Sequence, residues 1–253
     1  MKQVVLTKWM GTLKELGAAV ADNAGFVLFS ILIVAALVVF AKAAEHYADK
    51  KNNRLNQSQG EKTRRMVTMA MLSAVAIVLM LFEFPLPFLP PFYKIDASEL
   101  PIIIGAFSMG PAAAVIMEFI KIVLNLLMDG TTTVFVGEFA NFLIGCSFVV
   151  PASVLYYYKK TKKNAVIGLV TGTVFCVVVG CLLNAFILLP AYGKAFHMEI
   201  DALIAMGSKV NGMISDMLTF VIFATAPLNL IKCAAVSVLT MLLYKPVNKI
   251  IKR

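Results

Sequence analysis

Long apolar runs separated by short polar segments dominate the chain. A bilayer core about 30 Å thick is crossed by about 20 apolar residues in an α-helix. The runs lack the short alternating segments of an outer-membrane β-barrel, so they predict helices. The candidate runs are residues 24–41, 66–82, 100–117, 119–128, 131–158, 164–193 and 217–244.

The composition leads to the same interpretation. Of the 253 residues, 60% are hydrophobic and 15% are charged. A soluble domain has about 45–50% apolar and about 25% charged residues. The chain has too little polar surface for a cytosolic enzyme, a secreted domain or a disordered protein. We therefore predict an all-α, polytopic membrane protein.

Positive charge is concentrated in three short segments. Residues 42–65 contain seven Lys or Arg, and residues 159–163 and 245–253 contain four each. By the positive-inside rule these segments, and with them the C-terminus, are predicted to be cytoplasmic. The net charge of +9 is thus explained by membrane topology, and we do not expect nucleic acid as a partner.

Two short helices are predicted between the first two cytoplasmic segments. The chain leaves the cytoplasm at residue 66, and the run 131–158 returns to it, so residues 100–128 must begin and end outside. Gly110-Pro111 marks the corner of this hairpin, because Gly ends a helix and Pro begins one. The first arm is short for a full span, and we expect protein to shield it.

Six core helices follow from this pattern, and the chain before them is predicted to form a separate extension at residues 1–65. Within the extension, residues 1–23 are mildly amphipathic and are expected on the membrane surface. Residues 24–41 are predicted to span, and residues 50–64 to form a flexible basic linker. The binding domain is predicted at residues 66–253. The predicted core helices are 66–83, 99–109, 111–128, 133–158, 164–190 and 210–245.

A proline-rich apolar loop follows the first core helix. Its four prolines within residues 84–93 forbid a helix. Phe88, Leu89, Phe92 and Tyr93 make the loop apolar, as in an interfacial aromatic belt. A belt does not require so many prolines, so we favour a lid over an external site.

Several polar side chains are predicted at membrane depth, where they are costly and mark functional sites by default. Glu138 and Asn141 share a face of the fourth core helix, and Asn184 lies in the fifth. Asn229 and Lys232 share a face of the sixth. Helix–helix hydrogen bonds by Asn and snorkelling by Lys are the structural alternatives. We favour a convergent polar site.

The charged residues of the predicted hairpin have structural and functional interpretations. Ser98 or Asp96 suits a helix N-cap, and Glu99 suits the first turn. Glu118 and Lys121 lie one turn apart and can pair, either as an internal structural pair or as part of a site.

Enzyme and metal motifs are missing from the sequence. The four Cys lie in apolar runs without a CxxC, and the two His occupy separate segments. HExxH and Walker A sequences do not occur. We expect neither a catalytic centre, nor a metal, nor a cofactor. An intramembrane enzyme is the alternative from a different class.

Three motifs, in this order, resemble those of the riboflavin-specific S components of energy-coupling factor (ECF) vitamin transporters, over roughly residues 66–250. They are KIDASELP (94–101), GEFANF (137–142) and APLNLIK (226–232). The resemblance implies a prokaryotic plasma-membrane subunit that captures riboflavin from outside. It also implies that a transmembrane scaffold subunit and two cytoplasmic ATPases are its partners.

The resemblance further implies roles for particular residues. Ala70 and Ala74 match a small-xxx-small motif by which these subunits dock on the scaffold. An S component for a different vitamin is the nearest alternative, and the N-terminal extension departs from the six-helix pattern. The implied ligand contacts are Asn184, Asn229 and Lys232 for the flavin ring, with Asn141, Glu138 and Asp96 as further candidates for the ribityl hydroxyls or for supporting the site.

Overall fold

The structure, a computed structural model, describes residues 24–52, 58–90, 93–131, 135–195 and 197–251, together with residues 17 and 21. The predicted surface segment at 1–23, apart from those two residues, lies outside the described residues, as does Phe92 of the predicted lid. The helices and strands are α1 (Ala24–Lys51), α2 (Gln59–Leu81), β1 (Phe84–Pro85), β2 (Lys94–Ile95), α3 (Glu99–Met109), α4 (Pro111–Asp129), α5 (Val136–Tyr158), α6 (Lys162–Leu183), α7 (Leu189–Ala195), α8 (Ile200–Val210), α9 (Met217–Phe220) and α10 (Ala226–Ile251).

Two of the long helices contain a π-helical segment. Asn184–Leu188 joins α6 to α7, and Val221–Thr225 joins α9 to α10. When each π-helical segment is counted with the helices on either side of it, six helices among the described residues are long and apolar enough to cross a membrane. One of them is α1, and the short α3 completes the core. The predicted six-helix bundle with an extra N-terminal apolar helix is therefore confirmed.

The short helix α3 lies in the centre of the bundle. Between Glu99 at its start and Ser108 near its end it is apolar on all sides, and such a helix has no face suited to water. Ile102, Ile103, Ala106 and Phe107 are at most 1% exposed, because α2, α4, α5 and α10 surround the helix. Protein shields α3, as predicted. Gly110, with φ of 106°, and a proline at the first position of α4 make the predicted corner.

The extra helix α1 packs against α4 and α5. The rings of Phe26 and Phe139 meet edge to face with centroids 5.6 Å apart. Glu45 accepts a hydrogen bond from the first turn of α4, at Ala112 N (3.2 Å), and pairs with Arg65 of α2 at 2.7 Å. The extension is thus in contact with the core through a buried carboxylate.

Helix α2 begins earlier than predicted, at Gln59 rather than at residue 66. Ser58 and Glu61 form a capping box: Ser58 Oγ accepts from Glu61 N at 3.3 Å, and Ser58 N donates to Glu61 Oε2 at 2.7 Å. The end of the predicted linker is therefore helical. The S-x-x-E sequence that produces this start was a readable signal.

The chain between the fifth and sixth core helices also differs from the prediction. It contains α8 and the end of α7 where a loop was predicted. The last core helix begins at Met217 rather than at residue 210. Asp216 sets this start, because its side chain accepts from Thr219 N at 2.9 Å and so caps the helix.

Candidate functional site

One cavity lies at the end of the bundle that carries the proline-rich loop, and polar side chains from widely separated parts of the chain line it. Its volume is about 550 Å³, within the range of small-molecule sites. The loop after β2, α5, the first π-helical segment and α10 all contribute to it. Every residue predicted as a ligand contact lines this cavity: Asp96, Glu138, Asn141, Asn184, Asn229 and Lys232.

The proline-rich loop forms a hairpin beside the cavity. Strands β1 and β2 pair antiparallel at its base. Leu89 and Tyr93 are buried at 3% and 5% exposure, whereas Phe88 is 47% exposed. The Tyr93 ring packs edge-on against Phe220 with centroids 5.8 Å apart. The loop is therefore attached to the ends of the last two core helices by two of its predicted lid residues.

Tyr93 connects this loop to both π-helical segments. Its hydroxyl donates to Asn184 Oδ1 at 2.7 Å and lies 2.7 Å from Thr225 Oγ1. Burial raises the pKa of Tyr93, so the hydroxyl stays protonated and remains a donor. The position of the loop is thus linked to the orientation of the Asn184 amide.

Each π-helical segment is followed by a proline at the same offset. Pro190 lies two residues after Asn184–Leu188, and Pro227 two residues after Val221–Thr225. Proline lacks the N–H for an α-helical bond, and its ring clashes with the carbonyl one turn earlier. A wider turn accommodates both effects, and such turns are common at functional sites. The prolines thus account for the widened backbone at Asn184 and before Asn229.

The two cavity asparagines are held by backbone carbonyls of their own helices. Asn184 Nδ2 donates to Gly180 O at 2.8 Å, and Asn229 Nδ2 donates to Thr225 O at 3.0 Å. A Cβ on Gly180 would lie 2.5 Å from Asn229 Nδ2. Gly180 is therefore needed for α10 to bring Asn229 this close to α6.

Lys232 pairs with two carboxylates near the start of α3. Its Nζ lies 2.9 Å from Asp96 Oδ2 and 3.4 Å from Glu99 Oε1. Asn229, which shares a helix face with Lys232, donates instead to Thr225 O of its own helix. Burial is the largest single influence and would raise the pKa of Asp96, but the Lys232 ammonium, the Lys121 ammonium and a hydrogen bond from Ser98 together outweigh it and lower that pKa below its ordinary value. Periodicity within α10 could not reveal a partner that lies far away in sequence.

Asp96 and Ser98 do not cap α3 in the predicted way. Ser98 makes no side-chain capping bond, and Asp96 Oδ1 accepts from Ser98 N at 2.7 Å. Glu99 is buried and pairs with Lys121 at 3.1 Å. The predicted pair of Glu118 and Lys121 is confirmed at 2.7 Å, with both side chains 0% exposed.

Other polar residues line the cavity and were not predicted. Asn125 lies one turn after Lys121, on the same face of a mainly apolar helix, and a polar side chain at that spacing was a signal that could have identified it. Tyr192 lies in a part of the chain predicted as loop and gave no such signal. Glu83 and Lys94 pair with each other at the cavity edge.

The face of α2 that carries the predicted docking motif is exposed. Ala70 and Ala74 lie on it one turn apart, with Met71 and Val75 beside them. Small side chains on an exposed apolar face allow another helix to approach closely.

With this geometry described, comparison with known proteins identifies the family. A family model described as "ECF transporter, substrate-specific component" matches residues 64–244. The chain belongs to this family. As an ECF substrate-specific component it is a transporter subunit embedded in a membrane, and not an enzyme. Helix α1 precedes the matched region.

Individual relatives of this ECF substrate-specific component agree with the family match. It is 36% identical to "Riboflavin transporter RibU" of Staphylococcus aureus (strain TCH60), over 76% of this chain and 95% of the relative. It is 34% identical to "Riboflavin transporter FmnP" of Bacillus subtilis (strain 168), over 72% and 91%. A structure described as "the S component of a bacterial ECF transporter" superposes with a TM-score of 0.59 at 34% identity, over 76% of this chain and 99% of that one.

Proposed function

We propose that this ECF substrate-specific component binds riboflavin from outside the cell and delivers it through an ATP-driven complex. Its partners in that complex are a transmembrane scaffold subunit and two cytoplasmic ATPases. The relatives named as riboflavin transporters support this assignment. The observation that carries it is the set of hydrogen-bonding groups in the cavity.

Three side chains have hydrogen-bond donors or acceptors that are not used by strong partners among the described residues, and these match one edge of a flavin. The pyrimidine edge of isoalloxazine presents a carbonyl, an N–H and a second carbonyl. Asn184 uses one of its two amide N–H groups on Gly180, which leaves one donor. Asn229 Oδ1 is an acceptor whose partner among the described residues is the weak thiol donor of Cys176, at 4.0 Å. Lys232 has three donors, and the two carboxylates leave one for a ligand.

The remaining lining suits the rest of riboflavin. Glu138, Asn141 and Asn125 supply donors and acceptors for ribityl hydroxyls. Leu188 and Leu228 supply apolar surface for the ring system. The hairpin loop, through Tyr93, would close over the bound vitamin.

A titration of the purified protein tests the assignment. Riboflavin fluorescence is expected to be quenched at one equivalent, because the ring would be buried beside aromatic side chains. Thiamine and pantothenate are the comparison ligands. Binding of another vitamin, with neither quenching nor calorimetric heat from riboflavin, would show that the ligand is wrong while leaving the family unchanged.

The exposed face of α2 is the proposed docking surface for the scaffold subunit. Ala74→Trp is expected to abolish co-purification with the scaffold and to leave riboflavin binding by the isolated protein intact. Ala36→Trp is the matched control, because Ala36 is also exposed on an apolar helix, α1. Intact assembly of an Ala70→Trp, Ala74→Trp double variant would exclude this face.

The proposed setting is the plasma membrane of a prokaryote, crossed several times, with the C-terminus in the cytoplasm. Support comes from the three basic segments, which the positive-inside rule assigns to the cytoplasm, and from Lys160 of the second segment, which donates to Ser108 O at 3.3 Å beside the Gly110-Pro111 corner. The matched region begins at residue 64, which supports treating residues 1–65 as an extension. A protease-cleavable tag after Arg253 should be cut only when the membrane is opened.

A further inference from the structure

A row of charges of alternating sign runs from the cavity into the closed interior of the bundle. In spatial order it consists of Asp96, Lys232, Glu99, Lys121 and Glu118, and we call it the charge row. Successive N–O distances along it are 2.9, 3.4, 3.1 and 2.7 Å. Of the five residues, Asp96 and Lys232 line the cavity.

The interior end of the charge row is closed off from solvent and from the cavity. Glu118 and Lys121 are 0% exposed. A Cβ on Gly145 would lie 2.8 Å from the Glu118 carboxylate, so α5 leaves this residue no spare room. Apolar residues of similar volume are often as stabilising as a buried ion pair. Stability alone is therefore a weak reason for a charged pair at this position.

Glu99 is shared unequally between two ammonium groups. Its two carboxylate oxygens lie 3.1 and 3.2 Å from Lys121 Nζ, whereas its nearer oxygen lies 3.4 Å from Lys232 Nζ. Lys121 thus engages both oxygens of Glu99, and Lys232 has the longer contact. Without Lys121, Glu99 would become a full second carboxylate partner of Lys232, in addition to Asp96.

Such a partner would compete with a neutral ligand for Lys232. Hydrogen bonds to ionised acceptors are roughly twice as strong as those between neutral groups. A neutral carbonyl would therefore lose the competition for the Lys232 ammonium to an unshared Glu99. With Glu99 engaged elsewhere, one N–H of Lys232 stays available at the cavity wall.

We infer that Lys121 is a positioning residue for ligand binding: it holds Glu99 back from Lys232, so that Lys232 can donate to a neutral acceptor of the ligand. Glu99 and Glu118 together supply the counter-charge that allows Lys121 to be buried. This inference rests on the proposed function, in which the acceptor is a flavin carbonyl.

The test uses a loss of affinity and its recovery by a second substitution. Lys121→Met should weaken riboflavin binding by about tenfold, because Glu99 then pairs fully with Lys232. Adding Glu99→Gln should restore most of the affinity, measured by fluorescence quenching. Adding Glu45→Gln, at a buried carboxylate that pairs with Arg65, should restore nothing. A lysine with a purely structural role would show no recovery, and that result would contradict the inference.

Two further variants keep the test decisive if Lys121→Met folds poorly. In a Lys232→Met background, Lys121→Met should cause no additional loss, whereas additive losses would contradict the inference. Glu118→Gln keeps the shape and leaves Lys121 on Glu99, so affinity should stay within about twofold, well below a tenfold change of 1.4 kcal/mol. A tenfold loss of affinity in Glu118→Gln would also contradict the inference.

The unmodified protein separates the two proposals. If it fails to bind riboflavin, the proposed function is wrong. If it binds riboflavin and Glu99→Gln does not restore affinity, only the role of Lys121 is wrong.

Discussion

Two buried ionic clusters hold the bundle together at different places, and they differ in what they leave available. The charge row joins the loop after β2, α3, α4 and α10, and one end of it lines the cavity. The second cluster joins α1, α2 and the start of α4 through Glu45, Arg65 and Ala112 N. In that cluster the Glu45 carboxylate pairs with Arg65 and accepts a hydrogen bond from Ala112 N, so both of its oxygens have a partner.

From this difference we propose a functional role for the charge row and a structural role for the Glu45 cluster. Glu45 belongs to α1, but its carboxylate lies at the N-terminus of α4, where a negative charge is favourable. The charge row lies among apolar helices, where an ionic group is costly, and it retains a donor beside a cavity. Substitutions of Lys232 or Lys121 in the charge row should change ligand affinity, whereas substitutions in the Glu45 cluster should change stability alone.

The largest expected effect is from Lys232→Met. It keeps the apolar stem and deletes the ammonium, and a hydrogen bond from a charged donor contributes about 1.5–3 kcal/mol. Riboflavin affinity should fall by about ten- to a hundredfold, measured by fluorescence titration. Unchanged affinity with a lower expressed yield would mean that Lys232 is structural, and the contrast between the clusters would fail.

The next largest effects are expected from substitution of two glycines, Gly110 beside Glu45 and Gly145 beside Glu118. A Cβ on Gly110 would lie 2.8 Å from Glu45 Oε2. The φ angle of Gly110 is also +106°, a backbone conformation that costs other residues about 1–3 kcal/mol. Gly110→Ala should lower the thermal midpoint without changing riboflavin affinity. In Gly145→Ala the new methyl group would displace the Glu118 carboxylate, and with it Lys121 from Glu99, so both the thermal midpoint and the affinity should fall. Equal effects of the two variants on affinity would contradict the distinction.

Tyr93→Phe should have a smaller effect on affinity. It deletes the hydroxyl that joins the loop to Asn184 and Thr225, and a neutral hydrogen bond contributes about 0.5–1.5 kcal/mol. Affinity should fall by about two- to tenfold, mainly through faster dissociation, measured by stopped-flow fluorescence. Phe88, which is largely exposed, provides the control: Phe88→Leu should leave the dissociation rate unchanged.

The smallest expected effect is from Arg65→Met. The side chain of Arg65 is 22% exposed, and Glu45 keeps its bond to Ala112 N. Loss of a solvent-accessible pair changes stability by about 1 kcal/mol or less. The thermal midpoint should drop slightly while riboflavin affinity stays the same. A tenfold loss of affinity would show that this cluster also acts on the cavity.

Local sequence patterns determined most of the architecture. Apolar runs of membrane-spanning length, interrupted by basic segments, predicted the core helices, since chain length and hydrophobicity are properties of a run by itself. Gly110-Pro111 predicted the corner, because those two residues restrict the backbone wherever they occur. The capping residues Ser58 and Asp216 are also local signals, because each caps the helix that begins directly after it.

Part of the polar lining of the cavity could be predicted from the sequence because polar residues are rare in these helices. Asn184, Asn229 and Lys232 stood out against apolar surroundings, and the structure places all three on one cavity. Their partners could not be predicted in this way. Helical periodicity relates residues three or four positions apart, whereas Asp96 lies far from Lys232 in sequence.

The tertiary structure alone decided how the charges are shared. The sequence indicated that Glu118 and Lys121 can pair, and it offered helix capping as a sufficient role for Glu99. Packing of α3 among the other helices placed Glu99 between Lys121 and Lys232 instead. The physical reason is that the number of partners of a buried charge depends on which elements exclude water around it, and no single helix determines that.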